Sequence, residues 1–194
     1  MTRVGVLALQ GDFAAHAALL RGLGAEVLEV RRVADLRGLG GLVMPGGEST
    51  ALLRLMADEP WFDALRAFHR DGGALFGTCA GAILLAREVT GPSQPSLGLL
   101  DATLERNAYG RQIESFETLL EAPLLGGAVR AAFIRAPRIR RVGPGVAVLA
   151  RCQGEPALVE EGRVLAATFH PEIAGEGLVH ERFLQAVRRG TAAA

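Results

Sequence analysis

The stretch Ala74-Leu75-Phe76-Gly77-Thr78-Cys79-Ala80-Gly81-Ala82-Ile83-Leu84-Leu85-Ala86-Arg87 decides how the chain is read. Ala74–Gly77 is an apolar run of the kind that forms a buried strand, and Ala80–Arg87 reads as the helix after it. At the junction lies Gly77-Thr78-Cys79-Ala80-Gly81, with the form of a nucleophile elbow in which cysteine stands where hydrolases often use serine. Such a turn needs small flanking residues and pushes the thiol outward. The helix N-terminus behind it favours a thiolate and aims backbone N–H groups at developing negative charge. The competing reading is a buried structural cysteine beside a glycine turn.

Toward the N-terminus the same rhythm repeats. Val4–Leu9 is a continuous apolar run, as in a strand covered on both faces, and Asp12 can cap a helix to about Leu23, where Gly24 stops it. Strands follow at Glu26–Val30 and Leu42–Met44, and helices at Glu48–Ala57 and from Pro60 to about Arg70. This β-α-β-α order implies a mainly parallel sheet with helices on both faces and right-handed crossovers. After the turn-rich loop Gly91-Pro92-Ser93-Gln94-Pro95-Ser96 the pattern changes. Strands are expected at Thr103–Glu105, Phe116–Glu121, Val129–Ile134, Val146–Cys152, Ala157–Val159 and Val164–Phe169, an antiparallel or mixed extension of the sheet. A last helix is expected over Leu178–Arg189, with Gly190–Ala194 a frayed tail. The whole, residues 1–194, reads as a single domain.

Composition excludes several classes of function. The 194 residues carry 21 basic and 21 acidic side chains, which gives no basic excess for nucleic acid or a membrane surface. All 21 basic residues are arginine. Without lysine there is no Schiff-base amine and no phosphate-loop lysine, so no covalently held pyridoxal cofactor is expected, and no cofactor at all. Cys79 and Cys152 are too few for a disulfide framework, and the acidic residues show no metal-ligand spacing. No segment approaches 18 uninterrupted apolar residues, so the expectation is a soluble, cytoplasmic protein.

A nucleophilic cysteine needs a base. His16, His69 and His180 fall within expected helices and read as solvated helix residues. His170 differs: it ends the apolar run Val164–Phe169 and precedes Pro171, at a strand end, where the active sites of parallel sheets collect. Glu172, two residues on, can accept from the imidazole and fix its tautomer. A third element, Pro45-Gly46-Gly47-Glu48-Ser49-Thr50, also ends a strand and opens a helix. Its glycines let backbone N–H groups approach an oxyanion, and Ser49 and Thr50 can cap the helix or bind substrate.

The Gly-x-Cys-x-Gly elbow with a distant His170-Pro171-Glu172 resembles the triad-type (class I) glutamine amidotransferases. Leu7-Ala8-Leu9-Gln10-Gly11-Asp12, Gly41-Leu42-Val43-Met44-Pro45-Gly46-Gly47-Glu48-Ser49-Thr50, Arg106-Asn107-Ala108-Tyr109-Gly110-Arg111-Gln112 and Phe133-Ile134-Arg135-Ala136-Pro137 narrow the likeness. Together they are similar to the family of glutaminase subunits of the pyridoxal 5'-phosphate synthase complex, from about residue 4 to 189. The resemblance implies a flavodoxin-like fold and a Cys79-His170-Glu172 triad. It implies an oxyanion hole from Gly47 and Ala80, and L-glutamine held by Gly47, Glu48, Ser49, Arg106, Ile134 and Arg135. Gln10 would lie at the interface with a barrel-shaped synthase subunit in a hetero-oligomer, which would receive the ammonia. Tyr109 stands where phenylalanine is common and Glu114 where aspartate is common, and the run after Glu172 is unusually glycine-rich. A glutaminase serving another ammonia-using synthase would show the same chemistry. Stress-protein hydrolases are disfavoured because Ala80, not histidine, follows the cysteine. A non-catalytic flavodoxin-like module would leave Cys79 merely buried.

Overall fold

The computed structural model describes residues 2–106 and 115–191. In chain order the elements are β1 (Arg3–Leu7), α1 (Phe13–Gly22), β2 (Glu26–Val30), β3 (Gly41–Met44), α2 (Ser49–Leu55), α3 (Trp61–Arg70), β4 (Ala74–Thr78) and α4 (Ala80–Leu85). They continue with β5 (Ala86–Thr90), β6 (Leu100–Glu105), β7 (Phe116–Ala122), β8 (Gly127–Phe133), β9 (Arg138–Val142), β10 (Ala147–Cys152), β11 (Glu155–Glu161), β12 (Val164–Ala167) and α5 (Leu178–Thr191). The main sheet has seven strands in the order β10-β11-β12-β4-β3-β1-β2. From β12 to β2 every neighbouring pair is parallel. At the other edge β12 pairs antiparallel with β11, and β11 with β10. The parallel part has the flavodoxin-like order.

Alternation along the central strands builds a core on each face. Phe76 of β4, Val43 of β3 and Leu165 of β12 face α1 and α5, packing with Leu20 and Phe183. Their neighbours Leu75, Met44 and Ala166 face α2, α3 and α4, packing with Leu52, Trp61 and Leu84. Side chains one residue apart on a strand point to opposite faces, so strands covered on both sides must be apolar throughout.

The second half departs from the expected extension. Only β10, β11 and β12 join the main sheet; β5, β6 and β9 form a separate three-stranded sheet, and β7 and β8 a hairpin. The helix after Cys79 ends at Leu85 instead of Arg87, and Ala86 opens β5. Good helix formers there are overridden by pairing with β6. Strand β9, Arg138-Ile139-Arg140-Arg141-Val142, had no sequence signal because only Ile139 turns fully into the core. Its arginines instead pair with Glu155, Glu105 and Asp101. Helix α5 continues through Gly190 to Thr191 where a frayed tail was expected, and 192–194 lie outside the described residues.

Candidate active site

Cys79 sits between β4 and α4 with φ +47° and ψ −103°, in the left-handed half of conformational space that a residue with a Cβ rarely adopts. Two backbone hydrogen bonds hold it there: its N–H donates to the Ala167 carbonyl at 2.9 Å, and its carbonyl accepts from Ile83 at 3.1 Å. The glycines of the elbow are explained by contact. A Cβ on Gly81 would lie 2.0 Å from the Met44 carbonyl oxygen, and one on Gly77 would lie 2.4 Å from the Gly81 carbonyl carbon. The strained turn exists because α4 packs directly on the backbone of its neighbours.

His170 and Glu172 follow β12. The His170 N–H donates to the Ala132 carbonyl of β8 at 2.8 Å, which ties the end of the β7–β8 hairpin to this histidine. The backbone then turns at Pro171 and Glu172 instead of running on extended, yet the two side chains meet: His170 Nδ1 lies 2.7 Å from Glu172 Oε1. A carboxylate only accepts, so Nδ1 carries the proton and Nε2 is left for the thiol. Burial pulls the His170 pKa down, but the side-chain bonds to Cys79 and Glu172 outweigh it and raise it to about 10. Burial pushes Glu172 up, and His16 and His170 together bring it down to about 2. The glycine-rich run after Glu172 is closed by Glu176, whose N–H donates to the Pro171 carbonyl at 2.9 Å and whose carboxylate accepts from Leu178 N–H at 2.8 Å.

Cys79 and His170 line a pocket of about 220 Å³, and so do Gly47, Glu48, Ser49, Arg106, Ile134 and Arg135. Ala80 is the first residue of α4, directly after Cys79. Gly47 has φ +137°, and a Cβ there would fall 2.3 Å from Gln10 Oε1. Gln10 brackets this turn: Nε2 donates to the Gly46 carbonyl at 3.4 Å and Oε1 accepts from Glu48 N–H at 3.2 Å. The cap of α2 is Glu48, not Ser49; its carboxylate accepts from Thr50 and Ala51 N–H, which lowers its pKa despite some burial. Ser49 Oγ instead donates to Gln94 Oε1 at 2.9 Å. Arg106 donates to the same Gln94 oxygen and, at 3.1 Å, to Thr50 Oγ1. Arg135 has φ +45° at the bend after β8. Asn107–Gln112 and Glu114 lie outside the described residues.

The chain matches the SNO glutamine amidotransferase family over residues 6–189. It belongs to that family. It is 54% identical over 188 residues to the "Pyridoxal 5'-phosphate synthase subunit PdxT" of Koribacter versatilis, covering 97% of each chain. It is 54% identical over 184 residues to the protein of the same name from Thermus thermophilus, covering 94% of this chain and 96% of that one. A crystal structure of a glutamine amidotransferase superposes with a TM-score of 0.89 at 50% identity, over 95% of this chain and 98% of that chain. The structure of PurLQS from Thermotoga maritima shares the fold alone, with a TM-score of 0.72 at 20% identity over 97% of this chain and 96% of that chain.

In this amidotransferase two histidines assigned to solvent are instead fully buried behind the site. His16 of α1 and His180 of α5 are both 0% exposed. His16 Nδ1 is 2.9 Å from His180 Nε2, and His16 Nε2 is 3.3 Å from Glu172 Oε2. Their sequence neighbours gave no signal, because the helix faces they occupy are buried by elements far away in the chain. Gln94 lies in the turn-rich loop, and nothing local in the sequence marks it as the partner of Ser49 and Arg106. Among the described residues no group of three or more His, Cys, Asp or Glu side chains could hold a metal ion. No helix among them is long and apolar enough to cross a membrane.

Proposed function

We propose that the pocket hydrolyses the side-chain amide of L-glutamine, with Cys79 as nucleophile, His170 as base and Glu172 as its orienting group. The chain is a glutaminase that yields L-glutamate and ammonia and feeds the ammonia to a pyridoxal 5'-phosphate synthase partner. The observation that carries the reading is that Cys79 and His170 line one pocket with the substrate-binding candidates, with Glu172 bonded to His170 behind it.

The Cys79 proton passes to His170 Nε2, giving an imidazolium that its neighbours stabilise up to a pKa of about 10, and the thiolate attacks the amide carbonyl carbon. The C=O electrons move onto oxygen, which the N–H groups of Gly47 and Ala80 receive. As the oxyanion collapses the C–N bond breaks, and protonated His170 gives its proton to the leaving nitrogen, releasing ammonia. Water then attacks the γ-glutamyl thioester while His170 accepts its proton. The C–S bond breaks, the proton returns to sulfur, and glutamate leaves. Arg106 offers its paired donors to the substrate α-carboxylate, with Glu48, Ser49, Ile134 and Arg135 completing the grip. The chain acts in the cytoplasm, docked near Gln10 on a barrel-shaped synthase subunit.

Gln10 already bonds both sides of the Gly46-Gly47 turn, so a partner that moves Gln10 moves the oxyanion-hole backbone. One oxyanion donor is worth roughly 2.7–4 kcal/mol, about 10²–10³ in rate. Ammonia release from glutamine by the purified chain should therefore be low and rise at least about tenfold when the synthase partner is added. Gln10→Ala should blunt that rise while leaving the fold intact. Full activity of the chain alone, unchanged by the synthase, would favour an independent hydrolase.

A further inference from the structure

Glu172 has two oxygens, and the proposed reaction uses only one. Oε1 accepts from His170; Oε2 is buried and has no regular hydrogen-bond partner among the described residues. His16 Nε2 lies 3.3 Å from it, without the alignment of a linear hydrogen bond.

Proton bookkeeping along the chain of rings is constrained at its far end. His180 Nδ1 is 3.2 Å from the Glu176 carbonyl oxygen, which can only accept, so Nδ1 carries hydrogen. Burial, then the neighbouring His16, hold the His180 pKa at about 3, so this ring stays neutral and its Nε2 is bare. That nitrogen must accept, so the hydrogen in the 2.9 Å contact sits on His16 Nδ1. The His16 ring is thereby fixed in orientation, with Nε2 between Thr78 Oγ1 at 3.2 Å and Glu172 Oε2 at 3.3 Å. Protonated, Nε2 faces the carboxylate as a cation and donor; unprotonated, it accepts from the Thr78 hydroxyl.

We propose that His16 is a positioning residue of the glutaminase site: held by His180, it steadies the far oxygen of Glu172 so that the near oxygen stays on His170. This rests on the glutaminase reading above. The titratable groups facing Glu172 are His16 from α1 and His170 from its own turn, with His180 of α5 one ring behind and Cys79 beyond His170. The groove beside it, lined by Ala15, Ala18, Leu19 and Leu23, adds no charge. Neither His16 nor His180 lines the substrate pocket. A positioning role should therefore lower kcat and leave KM unchanged.

The test is glutaminase kinetics of the full chain with its synthase partner, across pH, for His16→Phe, His16→Gln and His180→Gln, with Cys79→Ala alongside. His16→Phe should lower kcat about 10–100-fold, the scale of groups that orient a functional ligand from behind. Without His16 the Glu172 carboxyl loses one of the two groups that hold it ionised, so the acid limb of kcat should move to higher pH. His16→Gln, which keeps an N–H donor, should recover part of the loss, and His180→Gln should show a smaller shift of the same sign. A folded His16→Phe with wild-type kcat and pH profile would overturn the proposal. If that variant does not fold, unchanged profiles in both glutamine variants would do so. An active Cys79→Ala would sink the glutaminase reading itself, which is a separate outcome.

Discussion

The two cysteines of this chain occupy opposite kinds of place. Cys79 lies at the C-terminal end of a central strand, buried, in a left-handed backbone conformation, with His170 beside it in the same pocket. Cys152 ends β10, the outermost strand of the same sheet, half-buried, with Glu155 as its charged neighbour. Burial and then the Glu155 charge push the Cys152 thiol upward, away from the thiolate. One residue type thus becomes either a proposed nucleophile or an inert edge residue according to its surroundings. The decisive difference is the neighbour: His170 stands beside Cys79, whereas the charge of Glu155 opposes ionisation of Cys152.

The sharpest way to break this contrast is paired substitution. Cys79→Ala should lower glutamine turnover by at least about 10³-fold, as expected when one member of a catalytic unit is removed, and should leave the melting temperature near that of the wild type. Cys152→Ala should keep full turnover; the reverse pattern would exchange the two assignments. A second effect, smaller in size, is reactivity. Iodoacetamide at neutral pH should label Cys79 at least about tenfold faster than Cys152, because the thiolate is the reactive form. Labelling of Cys152 should accelerate only at alkaline pH, and His170→Asn should erase the advantage of Cys79. Peptide mass spectrometry reads both sites at once.

The smallest effect expected is on stability against pH. Glu172 is held at about 2 against an ordinary 4.5. The stabilisation it contributes is complete above 4.5 and is lost as pH falls toward 2. His170 is raised from 6.5 to about 10, so its contribution is complete below 6.5 and lost as pH rises through 10. Thermal unfolding should therefore show a plateau between those limbs. Glu172→Gln should flatten the acid limb by a few degrees, on the scale of about 2–4 °C per kcal/mol for a domain of this size, while Cys152→Ala should leave both limbs in place.

The parallel half of the fold was legible because its strands are apolar on both faces and its helices carry local stop signals. Asp12 does cap α1, accepting from Ala15 N–H at 3.2 Å. The second half was harder. In β9 and β5 the arginines and glutamates are satisfied by partners on other strands, so no alternation marks the strands. At the site, Cys79, His170 and the Gly46-Gly47 turn announced themselves through glycine spacing and strand-end position. His16, His180 and Gln94 did not, since His16 meets His180 across 164 positions and Gln94 meets Ser49 across 45.

From sequence alone came the sheet-and-helix order of the parallel half, the elbow and the identity of the groups able to do the chemistry. These depend on short-range sterics: a turn that forces its flanks to be glycine, and strands that must be apolar when covered on both faces. Only the tertiary structure decided which oxygens face which nitrogens. The direction of the His170 proton, the pairing of Ser49 and Arg106 with Gln94, and the burial of His16 against Glu172 arise where α1, α5, β4 and the turn after β12 converge. A helix's own sequence does not state what will cover it, and the protonation of a buried ring depends on that cover.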